Sequence, residues 1–169
     1  HVATLALKNS TTYGFNSNHY DLPMIMGVLD GMTAGQLNAM SHWIISENGR
    51  IWQTVEKYDL ELQFPIDHID LIEPSPGVFV GLKKYACRLH SQRVQDLPDA
   101  PETVLNAAQM DSVREYCLND LKLTEDLYRA VDERITLREQ LGVKYGVELR
   151  SKSDAQIAEA VIRHELTDV

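Results

Sequence analysis

The sequence predicts an α/β fold in which short strands alternate with helices. Residues 11–15 mix β-branched and aromatic side chains, as strands do, and residues 68–72 form a short apolar run typical of a central strand. The pair Thr33 and Gln36 has the spacing of a helix capping box. Strands and helices in this order are expected to pack as layers around one core.

The other elements follow from helical spacing, capping residues and turn residues. We expect a helix end over residues 2–8, helices over 22–30, 33–47, 81–90 and 101–141, a turn over 74–77, and a last helix opened by the capping box of Ser153 and Gln156. The long helix has its apolar positions at Val113, Cys117, Leu121, Leu127, Val131 and Ile135. Residues 50–66 are interpreted as a hairpin, or as an insertion, in which Trp52 and Phe64 pack. Cys87 and Cys117 fall in helical patterns, which predicts that both thiols fill the core.

The composition is typical of a soluble globular domain, with 44% hydrophobic and 24% charged residues. No apolar run approaches the roughly 20 residues of a membrane span, and the N-terminus lacks the layout of a signal peptide. Two cysteines without a Cys-x-x-Cys motif indicate reduced thiols, so we expect a cytoplasmic protein without membrane contact. The net charge of −9 argues against a simple nucleic-acid-binding module but not against a nuclease that uses metal ions.

A polar stretch after the first strand carries the first candidate site. The run from Asn16 to His19 ends in Tyr20-Asp21, directly before Leu22-Pro23. Asp is a favoured N-cap and Pro is tolerated in a first helical turn, so we expect Asp21 to cap the helix that follows the strand. Ligand sites of α/β sheets gather at such strand-to-helix turns.

Two motifs in this sequence resemble those of a known enzyme family. Asn16-x-x-x-Tyr20-Asp21, after a strand with a Gly-aromatic pair, resembles the second motif of the DEDD family of 3′–5′ exonucleases, in the form found in proofreading domains of DNA polymerases. Tyr116-x-x-x-Asp120 resembles the third motif of the tyrosine branch. The two motifs stand in the family's order, roughly a hundred residues apart.

Each residue also has a plainer interpretation. Asp21 alone can be an ordinary N-cap, Tyr116 a half-buried helix tyrosine and Asp120 a solvated helix charge. A second Tyr-x-x-x-Asp pair, Tyr128 and Asp132, lies twelve residues after the first, on a helix face rotated by about 120°. We interpret that second pair as a chance repeat.

The resemblance implies a ribonuclease-H-like fold and a role for each motif residue. Asp21 and Asp120 would be the ligands of a two-ion site for Mg²⁺ or Mn²⁺, and Tyr116 would orient the attacking water. Asn16 would support the substrate or the site loop. Tyr20 fills the aromatic position of the motif on the substrate side, where it is expected to pack.

The family's first motif, Asp-x-Glu on the first strand, is missing from residues 1–10. The nearby sequence of that form, Asp59-Leu60-Glu61, comes after the second motif and is interpreted as surface charge on a strand. Two explanations stay open. Either the chain is a fragment that lacks its first strands, which its start at His1 favours, or it is a degenerate exonuclease fold that no longer cuts.

We therefore predict a metal-dependent proofreading exonuclease domain of a bacteriophage-type DNA polymerase, over residues 1–145. Residues 146–169 are predicted to be a helical extension towards a polymerase part, because the tail resembles the segment after the exonuclease domain in phage polymerases. The expected partners are the 3′ end of single-stranded DNA and that polymerase domain, in the host cytoplasm if the chain is phage-encoded. A sheet that lacks strands would expose unpaired backbone, which a homo-oligomer or a partner chain would cover.

Two alternatives come from other classes of protein. One is a catalytically silent exonuclease-like domain that binds nucleic acid or braces a polymerase. The other is a plain α/β interaction protein in which both motifs are accidents. The last alternative predicts that Asp21 and Asp120 lie far apart.

Overall fold

The computed structural model describes residues 7–47, 49–61, 64–75, 80–101 and 103–167. Over these ranges the chain combines helices with two short strands and is mostly helical, so the predicted mixture of helices and strands is confirmed at that level. The chain divides into two compact units, His1–Asp70 and Leu71–Val169. The predicted helix end over residues 2–8 lies mostly outside the described residues, and residues 7–9 are helical.

Both predicted strands lie in the first unit. Strand β1 (Thr12–Gly14) pairs in parallel with strand β2 (His68–Asp70), with Gly14 opposite Asp70. Because parallel strands end at the same edge, the turn after β1 and the last residue of β2 share one edge of the pair.

Three helices complete the first unit: α1 (Asp21–Leu29), α2 (Ala34–Glu47) and α3 (Ile51–Tyr58). Their core is built around Met26, Met40, Ile44 and Leu60. The capping box that opens α2 is confirmed, since the Thr33 N–H donates to Gln36 Oε1 over 2.8 Å and the Gln36 N–H donates to Thr33 Oγ1 over 3.4 Å.

The hairpin predicted for residues 50–66 is wrong, because α3 occupies most of that segment. The helix starts where the Arg50 N–H donates to Gln53 Oε1, and it ends at Asp59 in a left-handed conformation. Trp52 is 58% exposed, so its predicted packing is also wrong, while Phe64 is half-buried.

The second unit contains α4 (Leu82–Arg88), α5 (Ala107–Tyr145) and α6 (Asp154–Thr167). Helix α5 starts later and ends later than predicted. Asn106 caps its start by a reciprocal pair of hydrogen bonds with Gln109, each 3.0 Å long. Its end falls at Gly146, whose φ of 66° few residues other than glycine adopt easily.

The predicted apolar stripe of α5 is buried only in its C-terminal half. Leu127, Val131 and Ile135 are buried, whereas Leu121 is 65% exposed. Cys117 is exposed as well, and so is Cys87 of α4, so the predicted core role of both thiols is wrong. Helix α4 packs against α5, and the N-terminal half of α5 keeps much of its surface open.

No helix in the described part of the chain combines the length and the apolarity that a membrane span requires. The predicted boundary after residue 145 coincides with the end of α5 and stays a prediction. The compact units divide elsewhere, after Asp70.

Candidate functional site

The turn after β1 is held by a buried carboxylate. Asp70, the last residue of β2, is 3% exposed. Its Oδ1 accepts the backbone N–H of Asn16 over 2.8 Å, and its Oδ2 accepts that of Asn18 over 2.9 Å. Hydrogen bonds of this kind, from N–H groups to a carboxylate, are stronger than neutral ones. They fix the motif residue Asn16 in a left-handed conformation with a φ of 56°.

A histidine secures the same turn from the other side. His68 Nε2 lies 2.7 Å from Ser17 Oγ, and His68 Nδ1 lies 2.9 Å from Thr12 Oγ1. Burial lowers the pKa of His68, although the charges of Asp70 and Asp67 oppose the change. The lowered pKa favours the neutral ring at pH 7. A neutral imidazole has one donor and one acceptor, which suits two hydroxyl partners.

The close approach of the turn to β1 depends on a glycine. A Cβ at Gly14 would lie 2.6 Å from Cβ and Oγ of Ser17, a distance that real side chains avoid. Ser17 itself is buried. The residues between β1 and α1 therefore form a fixed turn built by Gly14, Ser17 and the end of β2.

Asp21 follows this turn as the first residue of α1, so its predicted position as the N-cap is wrong. The N-cap is Tyr20, whose side chain makes no capping hydrogen bond. Partial desolvation raises the pKa of the Asp21 carboxyl; its own backbone N–H opposes the rise, and the charge of Asp70 adds to it. The Tyr20 ring packs against the core, and its hydroxyl lies 2.7 Å from Ser41 Oγ.

The third-motif residues lie together in the second unit, one turn apart on α5. Burial and a hydrogen bond with Asp120 raise the pKa of the Tyr116 hydroxyl, while Lys83 acts in the opposite direction. The Lys83 ammonium lies 5.1 Å from the centre of the Tyr116 ring and 3.2 Å from Asp96 Oδ1. The phenol therefore stays protonated at neutral pH.

One oxygen of Asp120 stands out. Its Oδ1 is buried and has no hydrogen-bond partner in the described ranges of the chain. Buried polar atoms are paired in the great majority of cases, because removing such an atom from water without a partner costs free energy. This carboxylate oxygen is therefore suited to a cation or donor from outside the chain.

The predicted site residues are thus divided between the units. Asn16, Tyr20 and Asp21 belong to the first unit, and Tyr116 and Asp120 belong to the second. Each group is assembled locally in a defined geometry. The convergence of Asp21 with Asp120, which the resemblance implies, stays a prediction.

The alternative source of acidic ligands, Asp59-Leu60-Glu61, does not form a strand, because Asp59 ends α3 and Leu60 is buried in the core. Within the described residues, no group of three or more His, Cys, Asp or Glu side chains could hold a metal ion. The donors at the two motifs are carboxylate oxygens, the ligand type that Mg²⁺ and Mn²⁺ prefer.

Sequence reasoning missed two residues of these sites. The sequence pattern identifies Asp70 only as part of a strand, although Asp70, like Asp21, lies at the carboxyl end of a strand, where ligand sites gather. For Lys83, nothing in the sequence places its ammonium over the ring of Tyr116.

Comparisons of the chain with protein-family models, with curated proteins and with solved structures gave no match. Its function is therefore inferred from its own residues and from the motifs that they form.

Proposed function

We propose that this chain is the 3′–5′ exonuclease domain of a proofreading DNA polymerase of bacteriophage type, with a ribonuclease-H-like fold. It would remove nucleoside monophosphates from the 3′ end of single-stranded DNA. The observation that carries the proposal is the buried Oδ1 of Asp120, which lacks a donor among the described residues, one helical turn from Tyr116.

The local setting of the second motif also supports the proposal. Asp21 begins a helix at the carboxyl edge of two parallel strands, where ligand sites of α/β proteins occur. The preceding turn is fixed by Asp70, so the motif is held in place before any substrate arrives. Such preorganisation is what catalytic geometry requires.

Asp21 and Asp120 are the residues that would hold Mg²⁺ or Mn²⁺. The fit rests on their oxygen ligands and on the unpaired Oδ1 of Asp120. Partial burial raises the pKa of Asp21 and the charge of Asp70 adds to the rise, so a bound cation would stabilise the ionised form of Asp21. When bound, two ions would supply a nucleophilic water at neutral pH and stabilise the leaving 3′-oxygen.

The chain's own groups would orient the reaction. The hydrogen of the protonated Tyr116 hydroxyl is engaged with Asp120, so its oxygen would accept a hydrogen bond from the attacking water and keep that water in line with the phosphorus. The Lys83 ammonium lies over the Tyr116 ring and helps to hold it in place. Asn16, at the start of the fixed turn, would support the substrate.

The test is degradation of a 5′-labelled single-stranded oligonucleotide with Mn²⁺. The wild-type chain should shorten it one nucleotide at a time from the 3′ end. Asp120→Asn keeps the shape of the side chain but removes its charge, so we expect the rate to fall by about 10³-fold or more.

The matched control is Asp132→Asn. Asp132 is an exposed residue of the same helix and follows Tyr128 with the same spacing as the motif pair, so its variant should cut at the wild-type rate. Equal loss in both variants, or shortening that survives Asp120→Asn, would contradict the proposed site.

A wild-type chain that binds the oligonucleotide but leaves it intact would overturn the activity in favour of the silent domain. Residues 1–20 contain no Asp or Glu, and a full-length gene that also lacks an Asp-x-Glu motif before Asp21 would support that alternative. Circular dichroism of the same samples shows that the comparison is made on folded protein.

A further inference from the structure

A polar pocket lies beside the third motif, within the second unit. One wall is the loop that follows α4, and the other is a stripe of α5 that starts at Asn119, the residue before Asp120. We call it the Arg93 pocket, and its charged or amide-bearing members on these walls include Arg93, Asn119, Lys122, Asp126 and Arg129.

Two of its cations are already balanced by carboxylates. Lys122 Nζ lies 2.9 Å from Glu125 Oε2 and 3.2 Å from Asp126 Oδ1. Arg129 pairs with Glu125 as well, over 2.5 Å. The Ser91 hydroxyl donates to Asp126 Oδ2 over 2.8 Å, so the carboxylate charge of Asp126 is also engaged. These groups form a nearly neutral network along the α5 wall.

Arg93 is the exception among these cations. Within the described residues its guanidinium has no carboxylate partner, and it meets only the neutral side-chain oxygen of Gln95 once the amide of Gln95 is turned to face it. Across the pocket, Nδ2 of Asn119 is a buried donor that has no acceptor in the described part of the chain. Arg93, Lys122 and Arg129 therefore outnumber the two carboxylates, Glu125 and Asp126, by one. This leaves one positive charge and one amide donor for an external acceptor.

These features suit a phosphate group. Arg presents its donors in a fork that matches phosphate oxygens, and Asn can add a further hydrogen bond. The pocket is locally positive in a chain with a net charge of −9, so it can hold a strand that the rest of the surface repels. Its α5 wall begins next to Tyr116 and Asp120.

We infer that the Arg93 pocket binds a backbone phosphate of the single strand whose 3′ end lies at the third motif. The inference rests on the proposed function, because that function supplies the strand. It adds the place where the backbone is gripped, which neither exonuclease motif provides.

The test is fluorescence anisotropy of a labelled oligo-dT with the full chain, in EDTA so that no cleavage occurs. Arg93→Gln should weaken binding about tenfold, the effect of losing one charge-assisted hydrogen bond. It should also reduce the slope of log K against log salt by about 0.7, as expected for one lost phosphate contact on a single strand. Asn119→Asp, which replaces a donor with a negative charge, should weaken binding at least as much.

The control is Arg163→Gln, which removes an equal charge from an exposed arginine that pairs with Glu159 on α6. Its affinity should match that of the wild type. Absent wild-type binding, unchanged binding in Arg93→Gln, or an equal loss in Arg163→Gln would overturn the inference. Inorganic phosphate could also displace the labelled oligonucleotide, with the same efficiency as unlabelled oligo-dT. That result would assign the pocket to free phosphate and would overturn the inference too.

The two proposals fail separately. If the chain degrades DNA with Mn²⁺ but Arg93→Gln does not weaken binding, the proposed exonuclease activity stands and the inference about the pocket fails. If Arg93→Gln weakens binding but the chain does not cut, the inference about the pocket stands and the proposed activity fails.

Discussion

The turn after β1 and the motif face of α5 each contain a carboxylate with a buried oxygen. The two carboxylates differ in their hydrogen-bond partners. Both oxygens of Asp70 accept backbone N–H groups, whereas Oδ1 of Asp120 has no partner in the described ranges. A paired buried carboxylate stabilises the segment that it binds, and an unpaired one costs stability. Asp70 therefore stabilises the turn after β1, whereas the unpaired Oδ1 supports the proposal that Asp120 binds a ligand.

The largest expected effect is on the paired side of this comparison. Asp70→Ala removes two charge-assisted hydrogen bonds and should lower the free energy of unfolding of the first unit by about 4 kcal/mol. Both tryptophans of the chain, Trp43 and Trp52, lie in that unit, so urea unfolding followed by tryptophan fluorescence reports it. Glu56→Ala, which removes an exposed carboxylate from α3, should change the value by less than about 0.5 kcal/mol. If both variants lost a similar free energy of unfolding, the hydrogen bonds of Asp70 would not stabilise the first unit.

For Asp120, the carboxylate with the unpaired oxygen, we expect a smaller change in stability, of the opposite sign. Asp120→Asn replaces a carboxylate whose buried Oδ1 lacks a donor in the described ranges with a neutral amide, so it should raise the stability of the second unit by about 1 kcal/mol. Hydrogen exchange of the α5 amides measures this locally, and Asp132→Asn should leave their protection unchanged. A loss of stability in Asp120→Asn would mean that the carboxylate is structural, like Asp70.

The smallest effect concerns Asp21 and its pH dependence. Because its pKa is raised in the folded state, the folded chain binds more protons than the unfolded chain between pH 3.8 and that raised value. Its contribution to stability is therefore fully present below pH 3.8 and is lost as the pH rises through the raised pKa. Asp21→Asn lacks this loss, so its stability relative to the wild type should increase across that interval in urea titrations. A difference that stays constant with pH would contradict the assignment.

The parts of the fold that depend on neighbours in sequence were predicted. Both strands and the capping box at Thr33 are set by residues within a few positions of each other. The segment around α3 was predicted wrongly because its start depends on an Arg50–Gln53 pair rather than on a favoured capping residue.

The site was predictable as a set of residues but not as a set of contacts. Asn16 and Asp70 are 54 residues apart in the chain, and no local pattern shows that their atoms meet. The exposure of Cys117 and Leu121 has the same origin, since helical spacing identifies a face and tertiary packing decides which part of it is covered.

The central claim is that Asp21 and Asp120 act on one metal site. Titration calorimetry with Mn²⁺ tests it directly on four proteins: the wild type, Asp21→Asn, Asp120→Asn and the double variant. If the two carboxylates share the ions, each single variant should weaken binding, and the double variant should lose little more than either one, a coupling of more than about 1 kcal/mol. Losses that simply add, or wild-type affinity in either single variant, would show that the two motifs do not form one site.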